Sequence, residues 1–134
     1  MPAPTSDSLE IRTSTDVVQV RQAVRTLAAG LGFSLIDQTK LVTAASELAR
    51  NTLEHGGGGT ARLETLTVGL KKGIRLTFED AGPGIPDVKL ALKDGYTTGG
   101  GMGLGLSGSK RLVNEFDIAT KVGEGTRVTI TKWK

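Results

Sequence analysis

The sequence predicts an α+β domain, a mixed and mostly antiparallel sheet with its helices on one face. Three observations predict it. Two amphipathic helical patterns follow one another near the start of the chain. Two pairs of alternating segments are each joined by a short glycine-containing turn, the signature of antiparallel hairpins. Glycine clusters elsewhere are bracketed by periodic segments, which makes them loops at the ends of elements rather than linkers. The resulting order β-α-α-β-β-α-α-β-β closes as one sheet covered by helices.

Each element has its own warrant. Residues 1–8 carry no basic or apolar leader pattern and are expected to form a disordered lead, with the domain over 9–134. Leu9 and Ile11 alternate with Glu10 and Arg12, predicting a strand over about 8–14. Thr15 and Asp16 offer an N-cap for a helix over about 16–29, with Val17, Val20, Val24, Leu27, Ala28 and Leu31 at helical spacing. Gly30 and Gly32 stop it. A longer helix is expected from Asp37 to Glu54, ending at the run Gly56 to Gly59. Thr60 to Leu70 and Ile74 to Asp80 read as strands around a Lys71-Lys72-Gly73 turn. Pro86 and Asp87 start a short helix that ends at Gly95. A glycine-rich loop then opens a helix over about 104–116, with Leu112, Val113 and Phe116 on its buried side. The last strands, near 117–122 and 126–133, are joined by Gly123-Glu124-Gly125.

Composition removes several function classes. A length of 134 residues is one ordinary domain. With no cysteine there is no disulfide framework, thiolate zinc site or cysteine nucleophile, and a single histidine, His55, excludes a histidine-rich metal site. Aromatics at 4% argue against a stacking surface for single-stranded nucleic acid. A net charge of +3 is spread along the chain, so neither nucleic acid nor a membrane surface is an expected partner. Apolar runs of only a few residues exclude a helical membrane span, and the cytoplasm is the expected location. What stands out is glycine: 19 residues, about twice ordinary usage.

Three constellations carry chemistry. On the second helix Glu47 and Asn51 are i,i+4 neighbours on the polar face, a potential base beside a neutral oxygen ligand suited to Mg²⁺. By itself the pair also fits a solvated helix face. In Ile74-Arg75-Leu76-Thr77-Phe78-Glu79-Asp80, Asp80 shares the parity of Ile74, Leu76 and Phe78 and projects toward the core side where Ala81-Gly82-Pro83-Gly84 opens. A carboxylate there needs a partner, and an exocyclic amine of adenine is one; Gly82 and Gly84 leave room for a flat base. An Asp-capped turn is the plainer reading. Third, Thr97 to Leu106 holds Gly101-Met102-Gly103-Leu104-Gly105 before a helix, where backbone amides favour phosphate. The spacing is neither a Walker A loop nor a Rossmann fingerprint, and a flexible surface loop fits as well.

Taken in order, and with Gly123-Glu124-Gly125-Thr126 before the final strand, these motifs resemble the N, G1, G2 and G3 boxes of the Bergerat-fold (GHKL) ATPases and kinases. Thr126 shares parity with Val128 and Ile130 and so faces the side of Asp80. Length, and the lack of a phosphoacceptor region, narrow the resemblance toward stand-alone anti-sigma-factor serine kinases, and most closely toward stressosome switch kinases of the RsbT type. That likeness runs from Leu9 to Lys134 and rests on Ser46 to Asn51, Glu79 to Asp87, Lys110 to Phe116 and Lys132-Trp133-Lys134.

The resemblance implies an ATP- and Mg²⁺-dependent serine/threonine kinase. Such a protein phosphorylates a STAS-domain partner and, once released from a larger stressosome complex, binds and activates a PPM-type phosphatase. It implies Glu47 as general base, Asn51 as the Mg²⁺ ligand, and Asp80, Gly82, Gly84 and Thr126 around adenine. The segment Gly101, Met102, Gly103, Leu104, Gly105 would cradle the phosphates. One departure is that Gly95 to Ser109 holds no Arg or Lys, where related kinases place an arginine; Lys110 or Arg50 are the substitutes within reach of sequence reasoning. The alternative of another class is a nucleotide-tuned binding module, an anti-sigma factor or phosphatase activator; a detached histidine-kinase catalytic domain is a third.

Overall fold

A computed structural model describes residues 6–85 and 106–134. The elements run β1 (Ser6–Ile11), α1 (Ser14–Gly30), α2 (Leu35–Glu54), β2 (Gly59–Val68), β3 (Lys71–Asp80), α3 (Leu106–Arg111), β4 (Glu115–Lys121) and β5 (Gly125–Trp133). The five strands lie in the order β1-β2-β3-β5-β4 and every pairing is antiparallel, the uniform limit of the sheet expected. β1 begins at Ser6, so an eight-residue lead is too long; residues 1–5 lie outside the described residues. The short helix expected over 86–95 also lies outside them.

Both long helices start earlier than the sequence reading, for one reason. In each, an aspartate in the first turn marks the N3 position rather than the cap, and the capping hydroxyl sits three residues before it. Thr13 caps α1: its hydroxyl accepts from the Asp16 amide at 3.3 Å, and the Asp16 carboxylate accepts from the amides of Thr13 at 3.1 Å and Arg12 at 2.8 Å. Those donors hold the Asp16 carboxyl below its ordinary range, the Arg12 amide contributing most. Ser34 caps α2 by accepting from the Asp37 amide at 3.1 Å. At its other end α1 closes through Gly32, whose φ of +84° lets Phe33 N–H reach Ala28 O and Gly32 N–H reach Ala29 O, both at 3.0 Å. Gly30 is still helical.

The β2–β3 turn is Gly69-Leu70, not Lys71-Lys72-Gly73. Val68 pairs with Lys71, and Gly69 at φ +62° supplies the first-position glycine of a two-residue hairpin. The helix expected to reach residue 116 ends at Arg111. Beyond it the sheet claims the chain: Asn114 N–H donates to Thr131 O, the Asn114 side chain accepts from Trp133 N–H, and Phe116 pairs with Ile130. Phe116 and Ile118 alternate, so a short apolar pattern that fits a helix was decided by the edge of the sheet.

One face of the sheet forms the core. Ala61, Leu63, Ile74, Leu76, Phe78, Val128 and Ile130 pack against Val17, Val20, Val24, Leu41, Ala45 and Leu48 of the helices. Lys132 is a buried charged residue on that face. It is 7% exposed, its Nζ donates to Leu112 O at 3.2 Å and pairs with Asp37 at 3.7 Å, tying the turn after α3 to the start of α2. The opposite face carries Arg62, Glu79, Asp117 and Arg127 in solvent. Among the described residues no helix is long and apolar enough to cross a membrane.

Candidate functional site

The last turns of α2, the end of β3 and the start of β5 enclose a cleft. Asn51, Asp80 and Thr126 bring polar groups to it, and Leu48, Thr52, His55, Phe78, Ile85, Leu106 and Val128 form the rest of its wall. Strand register explains the meeting: Asp80 pairs directly with Thr126 across β3 and β5, so both side chains project on the core side at the rim. The core ends there in an apolar slot with Asp80 and Thr126 at its rim.

Close backbone packing shapes that end. The Asp80 carboxylate accepts from Gly82 N–H at 2.9 Å. A methyl group at Gly56 would lie 2.5 Å from Asp80 Oδ2, and one at Gly82 would lie 2.7 Å from Gly56 Cα. Gly84 combines φ of +76° with the backbone of Lys121, whose carbonyl oxygen would be 2.5 Å from a methyl there. Gly56, which sequence reasoning treats as part of a helix stop, therefore backs directly onto Asp80.

Other contributors have no sequence signature. His55 Nε2 lies 3.3 Å from Gly84 O and fastens the loop to the end of α2. Thr120 of β4 reaches three partners: Ile85 N–H donates to its hydroxyl at 2.9 Å, and the hydroxyl lies 3.1 Å from Gly125 O and 2.8 Å from Thr126 Oγ1. Pro83 O accepts from Gly123 N–H at 2.8 Å, joining the same two loops.

Glu47 sits apart from this wall. It is one turn before Asn51, partly exposed, and its carboxylate lies 3.8 Å from the Arg50 guanidinium. An exposed pair of this kind contributes at most about 1 kcal/mol and leaves the carboxylate able to change partner. Lys110 is exposed at the end of α3. Gly101, Met102, Gly103, Leu104 and Gly105 lie outside the described residues, but Leu106 just after them lines the cleft.

The donor set fits a purine nucleotide with its metal. The apolar walls suit a flat base, and Asp80 with Thr126 suits an amine. Among the described residues no cluster of three His, Cys, Asp or Glu side chains is present, so an all-protein cation cage is not what they build. Asn51 offers one hard oxygen, and Mg²⁺ is commonly held by few protein ligands, its remaining positions filled by water and substrate phosphates.

Comparison with known proteins points the same way. Residues 36–134 match the family model for histidine kinase-, DNA gyrase B- and HSP90-like ATPases. The chain is 44% identical to the serine/threonine-protein kinase RsbT of Bacillus subtilis, over 93% of this chain and 94% of that protein. It is 27% identical to the anti-sigma F factor of Geobacillus kaustophilus, over 84% and 80% of the two chains. Among solved structures it resembles the RsbU and RsbW domains of Rv1364c from Mycobacterium tuberculosis, with TM-score 0.67 and 23% identity, covering 99% of this chain and a share of 33% of that longer one. The catalytic domain of the histidine kinase ThkA aligns with TM-score 0.54 and 13% identity over 94% and 95% of the chains. The two structural likenesses establish the fold alone.

Proposed function

The chain belongs to the histidine kinase-, DNA gyrase B- and HSP90-like ATPase family, and we propose that it transfers the γ-phosphoryl group of ATP to a serine or threonine of a STAS-domain partner. Serine/threonine kinase activity with ATP is the class to which the relationship with RsbT assigns it. The finer reading is that it cycles between a stressosome-like complex holding the STAS protein and a PPM-type phosphatase that it activates when released, within the cytoplasm. The observation that carries the reading is the meeting of Asn51, Asp80 and Thr126 on one cleft.

In this reading Asp80 accepts a hydrogen bond from the amino group of adenine, and Gly56, Gly82 and Gly84 let the loops around that carboxylate pack closely. The amides of Gly101, Gly103 and Gly105, with Met102 and Leu104 between them, receive the phosphates. Asn51 holds Mg²⁺, which neutralises phosphate charge when bound. Glu47 takes the proton from the partner hydroxyl as its oxygen bonds to the γ-phosphorus. The bond from that phosphorus to the β,γ-bridging oxygen breaks, and ADP leaves. Such transfer rests mainly on positioning and electrostatics, so few side chains suffice. Arg50 lies beside Glu47, near enough to influence the same charge.

Single-turnover transfer from γ-labelled ATP to a STAS-domain protein tests the proposal. Acid-stable label on the partner is expected, as for a phosphoester. Acid-labile label, or label that forms undiminished with Glu47→Ala, overturns the assignment.

A further inference from the structure

Thr126 lines the cleft, and its hydroxyl can present a proton or a lone pair. Its neighbour Thr120 decides which. The two threonines pair directly across β4 and β5, and their oxygens are 2.8 Å apart. The Thr120 oxygen has one proton to give and two lone pairs to fill. Ile85 N–H, at 2.9 Å, fills one lone pair. The carbonyl of Gly125, at 3.1 Å, has no proton and can only accept, so the Thr120 proton goes there. Thr126 must then donate its own proton to the remaining lone pair of Thr120. This is the one assignment that makes all three contacts hydrogen bonds.

We propose that Thr120 is a specificity-determining residue acting through Thr126: it consumes the Thr126 proton, so that Asp80 and Thr126 both meet the base edge as acceptors. A 6-amino group has two protons and can satisfy both acceptors, whereas a 6-oxo purine offers only N1–H to one of them and turns the lone pairs of its oxygen toward the other. Asp80 is already committed in the same sense, since a carboxylate accepts only. The same Thr120 oxygen receives Ile85 N–H, so the loop after β3 and the acceptor state of Thr126 are set by one atom. The proposal rests on the nucleotide reading of the cleft.

Titration calorimetry of the full chain with Mg·ADP and Mg·IDP tests it, because these ligands differ at the 6-position and undergo no transfer. Wild type is expected to prefer ADP. Thr120→Val keeps shape but removes the acceptor of Thr126, freeing that hydroxyl to donate; the ADP-over-IDP preference is expected to narrow about tenfold. Thr120→Ser is expected to restore it. A purely structural Thr120 would weaken both ligands together and leave their ratio unchanged, which would overturn the proposal. Should Thr120→Val not fold, Thr126→Val supplies an independent reading: its preference is expected to narrow, and an unchanged ratio would overturn the relay. Absence of any ADP preference in wild type is a different result, and would refute amine recognition in the cleft itself.

Discussion

Gly56→Ala is the sharpest perturbation of the cleft. The added methyl would lie 2.5 Å from both Cβ and Oδ2 of Asp80, more than 1 Å inside ordinary carbon contact. Turning the carboxylate away relieves the Oδ2 contact, while the Cβ contact, fixed to the β3 backbone, requires the Gly56 loop to shift as well. Turning the carboxylate breaks the 2.9 Å bond from Gly82 N–H, a hydrogen bond to a charged group that contributes about 1.5–3 kcal/mol. Loss of stability is therefore expected in the range of about 1–3 kcal/mol. If the same carboxylate receives the adenine amine, Mg·ADP affinity falls about ten- to a hundredfold. Thermal unfolding and titration calorimetry read the two effects. Gly57→Ala is the control: it has φ of +76° but nothing within 4 Å of the new methyl, so it carries backbone strain of about 1–2 kcal/mol and leaves affinity unchanged. Gly56→Ala with an ADP affinity within about twofold of wild type would refute the reasoning, since that is below the loss of even one such bond.

Three further outcomes are expected. Glu47→Ala should slow transfer about 10²- to 10⁴-fold in single-turnover assays, the range for a lost general base, while ADP affinity holds because Glu47 lies outside the cleft wall. Thr13→Ala should cost about 1 kcal/mol in chemical denaturation, as a lost N-cap does, and Asp16→Asn adds a pH signature. The Asp16 carboxyl is held below its ordinary 3.8 by the amides of Arg12 and Thr13. Its contribution is full above that unfolded-state value and is lost as pH falls through the lower folded one, so the stability gap to Asp16→Asn should close in acid. Lys132→Met should destabilise by about 1–3 kcal/mol, since it leaves Leu112 O and Asp37 without their buried donor.

Much of this architecture is legible in the sequence because it follows from local periodicity. The parity of Ile74, Leu76, Phe78 and Asp80 places Asp80 at the rim, and the parity of Thr126 with Val128 and Ile130 places it opposite. Legibility fails where long-range partners decide. Nothing local says that Gly56 backs onto Asp80, or that Thr120, an unremarkable strand residue, receives Ile85 N–H from a loop 35 positions earlier. The helices start earlier than expected because an acid at N3 imitates an N-cap until the hydroxyl three residues before it is paired. α3 ends earlier than expected because Asn114 and Phe116 are held by β5, a contact that periodicity does not contain.

The proposed function requires nucleotide to enter between Asn51 on α2 and Asp80 on β3. A wider, polar groove on the opposite sheet face, lined by Glu64, Arg75, Asp117, Arg127 and Thr129, is the physical competitor. Backbone amide shifts recorded on titrating Mg·ADP into the labelled chain separate the two. Shifts are expected at Asn51, Asp80, Gly82, Gly84 and Thr126, with Arg75, Asp117 and Thr129 unmoved. Shifts gathered on Arg75, Asp117 and Thr129 with Asp80 and Gly82 silent would contradict it.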